Sequence, residues 1–472
     1  MHYIETILYR AVGKGHYYSK KLTKRSREYH FRMVDVPSDI DYKNILKECS
    51  EHNISINGIQ GNRVEKDKPE NVLFPIENIV PLGSFPSLKD SFQETRRRHT
   101  FGVKERDAEE LWLCFVQQSM IPNGYKYAGL SYAGYILDFE SWCLPSWIWT
   151  NAANVRMYAE IGKNLDALRI ANILLEQQQP CGGWIVRFDY GVKDCIPILA
   201  PNDSAYIANN AILTAYRITG DVTYLEAAKR CAEWILANVR DDGMIWSGFD
   251  IVKKEWITNT NIVDIGFVAG LFASLYQLTE ENKYKVFLSR FSKRYIELFQ
   301  RSDGLFSSAL DGNDKQRGGA FGRGQAWALE GLIPTFEALH GEMLKATIDT
   351  LVNNIISKQN KDGSWPYNFT RKIYGKDCKG TPILAHNLLK WIPYYSGKRD
   401  AILNATCNAM AWCRKNTVVD GSNATGGIFS YTNEGAVVHH SYTETAFVYS
   451  SCYAVEVQRK ISGLRENNDL HK

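Results

Sequence analysis

The sequence predicts an all-α protein, an (α/α)6 toroid of helical hairpins with a small mixed extension at its N-terminus. Three observations predict this class. From about residue 140 onward, an apolar helix, a short turn, an amphipathic helix and a glycine-aromatic loop recur with a nearly constant period. The first helix of each unit is apolar on most sides, whereas the second carries charge on one stripe only. The composition, 44% hydrophobic and 23% charged, is that of a folded chain.

The period is marked by five loops in which glycine precedes a large apolar residue, and the marker glycines are 59 to 64 residues apart. The loops are Gly183-Trp184, Asp242-Gly243-Met244-Ile245-Trp246, Asp303-Gly304-Leu305-Phe306, Asp362-Gly363-Ser364-Trp365 and Gly426-Gly427-Ile428-Phe429. Because Trp246, Phe306 and Trp365 recur at equivalent places, we predict that they plug the ends of their hairpins.

Six inner helices follow from the repeat, with predicted starts near Trp149, Asp203, Asp264, Arg323, Thr381 and Thr443. Amphipathic helices such as residues 224–236 follow the first five and form an outer ring. Residues 107–116 are also amphipathic, and we expect them to pair with a C-terminal helix over residues 443–459 and close the ring. An open solenoid is the alternative.

The chain divides into three predicted parts. Residues 1–100 lack the repeat and are expected to form a mixed or irregular extension, residues 101–462 the toroid, and residues 463–472 a polar tail. The stretch Arg96–His99 is interpreted as a solvated charge run.

Composition excludes several function classes. Lys and Arg number 56 against 52 Asp and Glu, so no general basic field for nucleic acid is expected. The ten cysteines show no zinc-ligand spacing, which favours free thiols, no metal and a cytoplasmic location. The first ten residues are too interrupted by charge for a signal peptide. The longest apolar stretch, residues 262–278, is too short for a membrane span. The sequence contains no Gly-rich phosphate-binding loop, so no nucleotide cofactor is expected.

Candidate site residues lie at the starts of the inner helices, because in a toroid these starts meet at one mouth and offer N–H groups to anions. Acids, amides, an arginine, histidines and tryptophans there are typical of a carbohydrate site. The candidates are Asp203, Asp264, Arg323, Gln325, Trp327, Trp149, His386 and His440.

Five of the candidates have a structural alternative. Asp203 and Asp264 suit ordinary helix N-caps, although the apolar neighbours of Asp264 favour a desolvated carboxyl with a raised pKa, which suits a general acid. Arg323 suits a clamp between loops, and His386 and His440 suit structural hydrogen bonding.

One string is specific: Gly322-Arg323-Gly324-Gln325-Ala326-Trp327-Ala328, opening an inner helix. It resembles the Arg-Gly-Gln-Ala-Trp helix start of the unsaturated glucuronyl hydrolases and the related unsaturated rhamnogalacturonyl hydrolases, which are six-hairpin glycosidases. The resemblance covers roughly residues 140–460. In that family two aspartates begin inner helices about two repeats and one repeat before this string, the places that Asp203 and Asp264 hold.

The resemblance implies an activity and residue roles. The enzyme would hydrate a 4,5-unsaturated uronyl residue of an acidic oligosaccharide without a cofactor, with Asp264 as general acid/base. Asp203 would hold substrate hydroxyls and raise the pKa of Asp264 by repulsion. Arg323 would bind the uronate carboxylate, with Gln325 and the two tryptophans beside it.

Two other functions remain open. A sugar or uronyl epimerase would use His386 and His440 as its acid/base pair, and a non-catalytic glycan-binding subunit would keep the mouth without the chemistry. Two Gln-x-x-x-Gly-x-Trp strings, at residues 178–184 and 359–365, also resemble the repeats of triterpene cyclases. The stretch Asp377-Cys378-Lys379-Gly380 is, however, a poor match to the Asp-rich protonating motif of those enzymes.

Overall fold

The computed structural model describes residues 55–56, 59–60, 79–80, 96–123, 127–137, 141–143, 148–185, 198–370, 376–433 and 442–469. Over these residues twelve helices form six hairpins around a common axis, counting one interrupted inner helix as a single helix. The predicted (α/α)6 toroid is confirmed. The open solenoid is wrong, because the last inner helix packs on the first.

Each inner helix packs against the next around the ring. The inner helices are α2 (Thr150–Glu160), α4 (Pro201–Ile207) continuing through a π-helical turn (Ala208–Ile212) into α5 (Leu213–Thr219), α7 (Phe267–Thr279) after a 3₁₀ turn (Val263–Gly266), α9 (Gly322–Leu339), α11 (Gly380–Trp391) and α13 (Val448–Asp469). The first five begin within about three residues of the predicted positions.

The outer helices are amphipathic and bury one stripe against the inner ring. They are α1 (Glu105–Gln118), α3 (Asn164–Glu176), α6 (Val222–Leu236), α8 (Asn282–Phe299), α10 (Glu342–Ser357) and α12 (Arg399–Lys415). Helix α8 shows the pattern, because Tyr284, Phe287, Phe291 and Tyr295 lie three or four residues apart and are all buried. Helix α1 packs on α13, so the predicted closure of the ring by its two ends is confirmed.

The last inner helix differs from the prediction at both ends. Residues 442–447 form a strand, and α13 begins only at Val448 and continues to Asp469, into the stretch predicted as a polar tail. The aromatic and β-branched residues of this segment favour an extended chain, and the strand gains backbone partners on both sides.

Short strands precede five of the six inner helices, all but α11 among the described residues. One sheet has the order β12 (Ser430–Asn433), β13 (Tyr442–Phe447), β4 (Gly134–Ile136), β5 (Ser141–Cys143) and β3 (Ile79–Val80), with β3 parallel to β5. A second, antiparallel sheet has the order β6 (Ile198–Leu199), β7 (Phe249–Asp250), β8 (Glu255–Trp256). A third, also antiparallel, has the order β11 (Gln316–Arg317), β10 (Ala309–Asp311), β9 (Thr260–Ile262). A fourth pairs β1 (Ser55–Ile56) with β2 (Ile59–Gln60). Strand β9 leads directly into the turn that carries Asp264.

The segment Arg96–His99 is a solvated charge run only in part: Arg97 and Arg98 are exposed, whereas Arg96 and His99 are partly buried and bind the toroid. Arg96 donates hydrogen bonds to Glu444, at 3.0 Å, and to Asn416, at 2.6 Å. His99 Nδ1 lies 2.7 Å from a carboxylate oxygen of Asp420. Because the carboxylate of Glu444 is fully buried and requires a cation, Arg96 packs against the toroid here.

The two Gln-x-x-x-Gly-x-Trp loops are structural brackets. In each, the glutamine amide (Gln178, Gln359) donates to the carbonyl of its loop glycine and to a carbonyl of the next outer helix, at 2.7–2.9 Å. Each indole (Trp184, Trp365) donates to the end of the preceding helix at 2.7–2.8 Å. The shared geometry therefore comes from the repeat and does not indicate cyclase chemistry.

The plug prediction holds for two of the three aromatic residues. Phe306 and Trp365 are fully buried, two residues after a glycine with positive φ. In the second loop Ile245 takes that place, and Trp246 follows it only partly buried, with the Arg240 guanidinium 4.3 Å from its ring centre. The prediction for Trp246 is wrong because its loop has one more residue between glycine and aromatic ring.

We expect Gly363→Ala to lower the free energy of unfolding by more than Gly220→Ala does. Both glycines have positive φ, +92° and +71°, which costs an L-residue about 1–2 kcal/mol. A Cβ on Gly363 would in addition lie 2.1 Å from the carbonyl oxygen of Asn408, whereas Gly220 has open space. Urea unfolding of both variants measures the difference, and equal midpoints would contradict the close approach of loop and helix α12.

Candidate active site

Five aromatic rings from five inner helices meet near the axis of the toroid, and we call this set the aromatic floor: Trp149, Tyr206, Phe267, Trp327 and Tyr449. Trp149 contacts Tyr206, Tyr449 and Phe267 at ring-centre distances of 5.0, 5.2 and 6.1 Å. Phe267 continues the set to Trp327 at 6.1 Å. Trp149 directly precedes its helix and the other four rings belong to the first two turns of theirs, so the floor lies at the mouth that the helix starts surround. Trp149 and Trp327 each keep 8% exposure.

Asp264 lies at the same mouth, in the first turn of the third inner helix. Its Oδ1 is shielded from water and accepts no hydrogen bond from the described residues, although the residue as a whole is only half-buried. Burial raises the pKa of this carboxyl to about 6, against smaller lowering effects from the Asn202 amide and the Arg323 charge. A carboxyl group with this pKa is able to donate and accept a proton near neutral pH.

Asp203 is buried in the first turn of the second inner helix, where its Oδ1 accepts a hydrogen bond from Asn202 Nδ2 at 3.1 Å. The same amide interacts with Asp264, so Asn202 connects the two acids. The predicted repulsion is wrong: burial, and not Asp203, is the cause of the raised pKa of Asp264.

Neither acid is an N-cap. The N-cap positions of the two helix starts are Ala200 and Ile262, and neither side chain caps its helix. The structural alternative weighed for Asp203 and Asp264 therefore does not apply.

Arg323 lies in a cluster of aromatic rings at the start of α9. Its guanidinium carbon is 5.0 Å from the ring centre of Tyr367 and 5.3 Å from that of Trp327. Nη2 donates to the Tyr367 hydroxyl at 3.2 Å, and Nη1 lies 4.0 Å from Asp377 Oδ2. Burial opposes the charge, but the interactions with Tyr367, Asp377 and Tyr449 outweigh it and raise the arginine pKa. The mouth therefore holds a permanent cation beside Asp264.

Gln325 is not placed as a ligand. Its Oε1 accepts from the backbone N–H of Phe306 at 2.7 Å, and its Nε2 donates to the carbonyls of Phe306 and Phe321, both at 2.9 Å. Both amide atoms are thus used by the main chain of the preceding loop. We interpret Gln325 as the residue that fixes this loop on α9, in place of the predicted substrate contact.

His386 is also displaced from the mouth. It lies six residues into α11, about 9 Å below the helix start, and only 1% of its surface is exposed. Nε2 is 3.2 Å from Glu456, and burial lowers the pKa of the imidazole well below its ordinary value. The substrate-binding prediction for His386 is wrong. The residue lies too far along α11 to reach the mouth, and the sequence at the helix start does not show how deeply a residue is buried in the inner ring. His440 lies outside the described residues.

The layer around His386 is an ionic cluster beneath the aromatic floor. Arg156 donates to both carboxylate oxygens of Glu456, at 2.8 and 3.0 Å. Tyr206 and Tyr453 share a hydrogen bond of 2.7 Å, and Tyr453 donates to Glu330. Burial lowers the pKa of the nearby Lys390 to about 8. Tyr206 belongs to both layers, so the cluster supports the floor.

Sequence reasoning missed Tyr206, Phe267, Tyr449, Tyr367 and Asp377. For the first three a signal exists, because each is an aromatic residue within two turns of a predicted inner-helix start. For Tyr367 and Asp377 there is none, because both lie in a loop outside the periodic pattern.

Within the described residues, no helix is both long and apolar enough to cross a membrane. Over the same residues, no three His, Cys, Asp or Glu side chains are grouped closely enough to hold a metal ion. Seven cysteines of the described residues are free thiols: Cys114, Cys181, Cys231, Cys378, Cys407, Cys413 and Cys452.

Residues 193–381 match the family model described as Glycosyl Hydrolase Family 88. This range contains Asp203, Asp264 and the helix start at Arg323. The predicted resemblance to the six-hairpin unsaturated uronyl hydrolases is confirmed, and the family match supports a glycoside hydrolase. No curated protein matches the chain.

Solved structures share the fold at low identity. An unsaturated glucuronyl hydrolase from Bacillus sp. GL1 is 15% identical, with 75% of this chain and 96% of that chain covered and a TM-score of 0.60. The unsaturated glucuronyl hydrolase of Streptococcus agalactiae is 14% identical, with coverages of 78% and 95% and a TM-score of 0.57. A GH76 α-mannanase from Bacteroides thetaiotaomicron is 14% identical, with coverages of 78% and 98% and a TM-score of 0.54. Enzymes with different substrates thus share this architecture.

Proposed function

We propose that this protein is a glycoside hydrolase that hydrates a terminal 4,5-unsaturated uronyl residue of an acidic oligosaccharide, with Asp264 as the general acid/base. The observation that carries the proposal is the environment of Asp264: a shielded, unbonded Oδ1, a pKa raised by burial to about 6, and the charge of Arg323 nearby. The family match over residues 193–381 and the two structural relatives named as unsaturated glucuronyl hydrolases support the substrate class.

The chemistry follows from the vinyl ether of an unsaturated uronyl ring. Asp264 donates its proton to C4, and oxocarbenium character develops at C5. The carboxylate then accepts a proton from the water that adds to C5, which restores the acid. The resulting hemiketal opens and releases the next sugar. One carboxyl group with a pKa near neutrality performs both proton transfers, and no covalent enzyme intermediate is needed.

The remaining residues bind the sugar. The guanidinium of Arg323 suits the uronate carboxylate, because its planar fork offers paired N–H donors. Trp149 and Trp327, each 8% exposed, are the aromatic rings against which a sugar ring packs. Asp203, held by Asn202, accepts hydrogen bonds from ring hydroxyls. In this proposal Gln325 and His386 act structurally.

The epimerase alternative has less support than hydration by Asp264. An epimerase would use His386 and His440 as its acid/base pair, but His386 is buried below the aromatic floor with its Nε2 beside Glu456. Because His386 does not reach the mouth, the two histidines do not act there as a pair. A non-catalytic glycan-binding role differs from the proposal only in turnover.

The test is incubation with an unsaturated uronyl disaccharide and with its saturated counterpart at several pH values. We expect loss of the conjugated double bond of the first substrate only. The rate should fall as pH rises above about 6, because the donor must be protonated and burial sets its pKa there. Isomerisation of the saturated sugar supports the epimerase, and binding without turnover supports the glycan-binding subunit.

A further inference from the structure

Asp377 is a fully buried acid that the proposed chemistry does not use. It stands in the loop before α11, the fifth inner helix, whose one predicted site residue, His386, is buried below the mouth. Its backbone N–H donates to the carbonyl of Trp365 at 3.2 Å, which ties this loop to a buried hairpin plug. A charged group at zero exposure needs a specific partner.

One carboxylate oxygen of Asp377 has a local role. Oδ1 accepts from the backbone N–H of Lys379 at 3.0 Å, and the Asp377 carbonyl accepts from Thr381 at the start of α11. These contacts account for an aspartate or an asparagine equally well. They do not account for the second oxygen.

Oδ2 is directed to the mouth cluster. It has no hydrogen-bond partner among the described residues, and the nearest cation is Arg323, whose Nη1 lies 4.0 Å away. The approach is allowed by Gly380, where a Cβ would lie 3.2 Å from Oδ2 and 3.3 Å from the backbone nitrogen of Arg323. At this separation the attraction is between charges and not a hydrogen bond.

The far side of Arg323 is fixed by the same loop system. Tyr367 accepts a hydrogen bond from Nη2 at 3.2 Å, and its carbonyl accepts from the N–H of Gly322, the residue before Arg323. The guanidinium is therefore held by a tyrosine hydroxyl at one nitrogen and by a carboxylate charge at the other.

We propose that Asp377 is a positioning residue that fixes the Arg323 guanidinium for the carboxylate of the sugar. This inference rests on the proposed function, in which Arg323 binds that carboxylate. Asp377 does not touch the substrate; it acts through Arg323 and determines affinity for acidic sugars. Its effect should therefore appear in KM and not in kcat, because the proton transfers belong to Asp264.

The test is Asp377→Asn, which keeps the Oδ1 contact to Lys379 and removes only the charge. We expect KM for the unsaturated uronyl disaccharide to rise roughly 10-fold, with kcat nearly unchanged, as for coupled residues of one charge network. The rise should vanish in an Arg323→Gln background and with a substrate whose carboxylate has been reduced to an alcohol. Asp303→Asn is the matched control, because Asp303 also holds a loop turn, through the backbone N–H of Leu305, but lies outside the site.

An equal KM rise with the carboxyl-reduced substrate, or in the Arg323→Gln background, overturns the inference while the proposed function stands. If the wild type hydrates no unsaturated substrate, the proposed function fails separately. Calorimetric titration with glucuronate then decides the inference: weaker binding by Asp377→Asn than by wild type supports it, and equal or absent binding overturns it.

Discussion

Asp264→Asn is expected to reduce turnover of an unsaturated uronyl disaccharide by about 10²–10⁴-fold, the usual effect of removing a positioned acid/base. Asparagine preserves the shape of the side chain but transfers no proton. Substrate affinity should change little, because Arg323 and the aromatic floor remain. Steady-state kinetics together with equilibrium binding of the disaccharide measure both quantities.

Stability provides an internal check on this variant. A carboxyl whose pKa is about 6 when folded, above its usual 3.8, binds a proton more tightly in the folded state. Its contribution to stability is complete below the unfolded pKa and is lost as pH rises through about 6. At pH 7 Asp264→Asn should therefore be at least as stable as the wild type.

Asp250→Asn is the control for turnover. Asp250 is a buried aspartate that accepts hydrogen bonds from two backbone N–H groups, and its variant should retain full turnover. Near-normal turnover of Asp264→Asn would refute its assignment as acid/base.

Arg156→Met is expected to lower the free energy of unfolding by about 3–5 kcal/mol, because it leaves Glu456 as a buried charge without its bidentate partner. The carboxylate is 2% exposed and receives two guanidinium hydrogen bonds. Replacing both members by apolar residues, in Arg156→Met with Glu456→Leu, should recover most of the loss. Urea unfolding at neutral pH measures the free energy of unfolding of the wild type, the single variant and the double variant.

The surface pair of Arg301 and Asp303 provides the comparison. It has the same chemistry at 3.0 Å, but the side chains are 29% and 43% exposed. Arg301→Met should cost no more than about 1 kcal/mol, since exposed ion pairs contribute little. If Arg156→Met costs no more than this, the layer beneath the aromatic floor is hydrated and our description of it is wrong.

The helix starts were predictable because the repeat imposes them. Asp203, Asp264 and Arg323 each stand in the first turns of inner helices, within about three residues of where the glycine-aromatic period places them. The closure of the ring by residues 107–116 was predictable for a related reason: an amphipathic helix without a partner needs one. Neither inference required knowledge of a side-chain contact.

The errors arise where tertiary contacts, and not the period, decide. His386 sits too deep, and Gln325 uses both amide atoms to bind the main chain of the preceding loop. The raised pKa of Asp264 was expected from its apolar neighbours, but the contribution assigned to Asp203 needed a spatial relation that sequence does not contain. Asp377 is the clearest case, since its importance lies in one oxygen 4.0 Å from Arg323.

The sixth hairpin joins α1 to α13, helices that are more than 300 residues apart in the chain. On the ribosome, at roughly 5–20 residues per second, α1 waits on the order of tens of seconds for its partner to be made. Throughout that interval Trp112 and Phe115, which are fully buried in the finished ring, lack part of their cover. Premature termination anywhere before Val448 would make this state permanent, with apolar surface open at both ends of the arc. The final helix is thus the step of biosynthesis at which an aggregation-prone arc becomes a closed molecule.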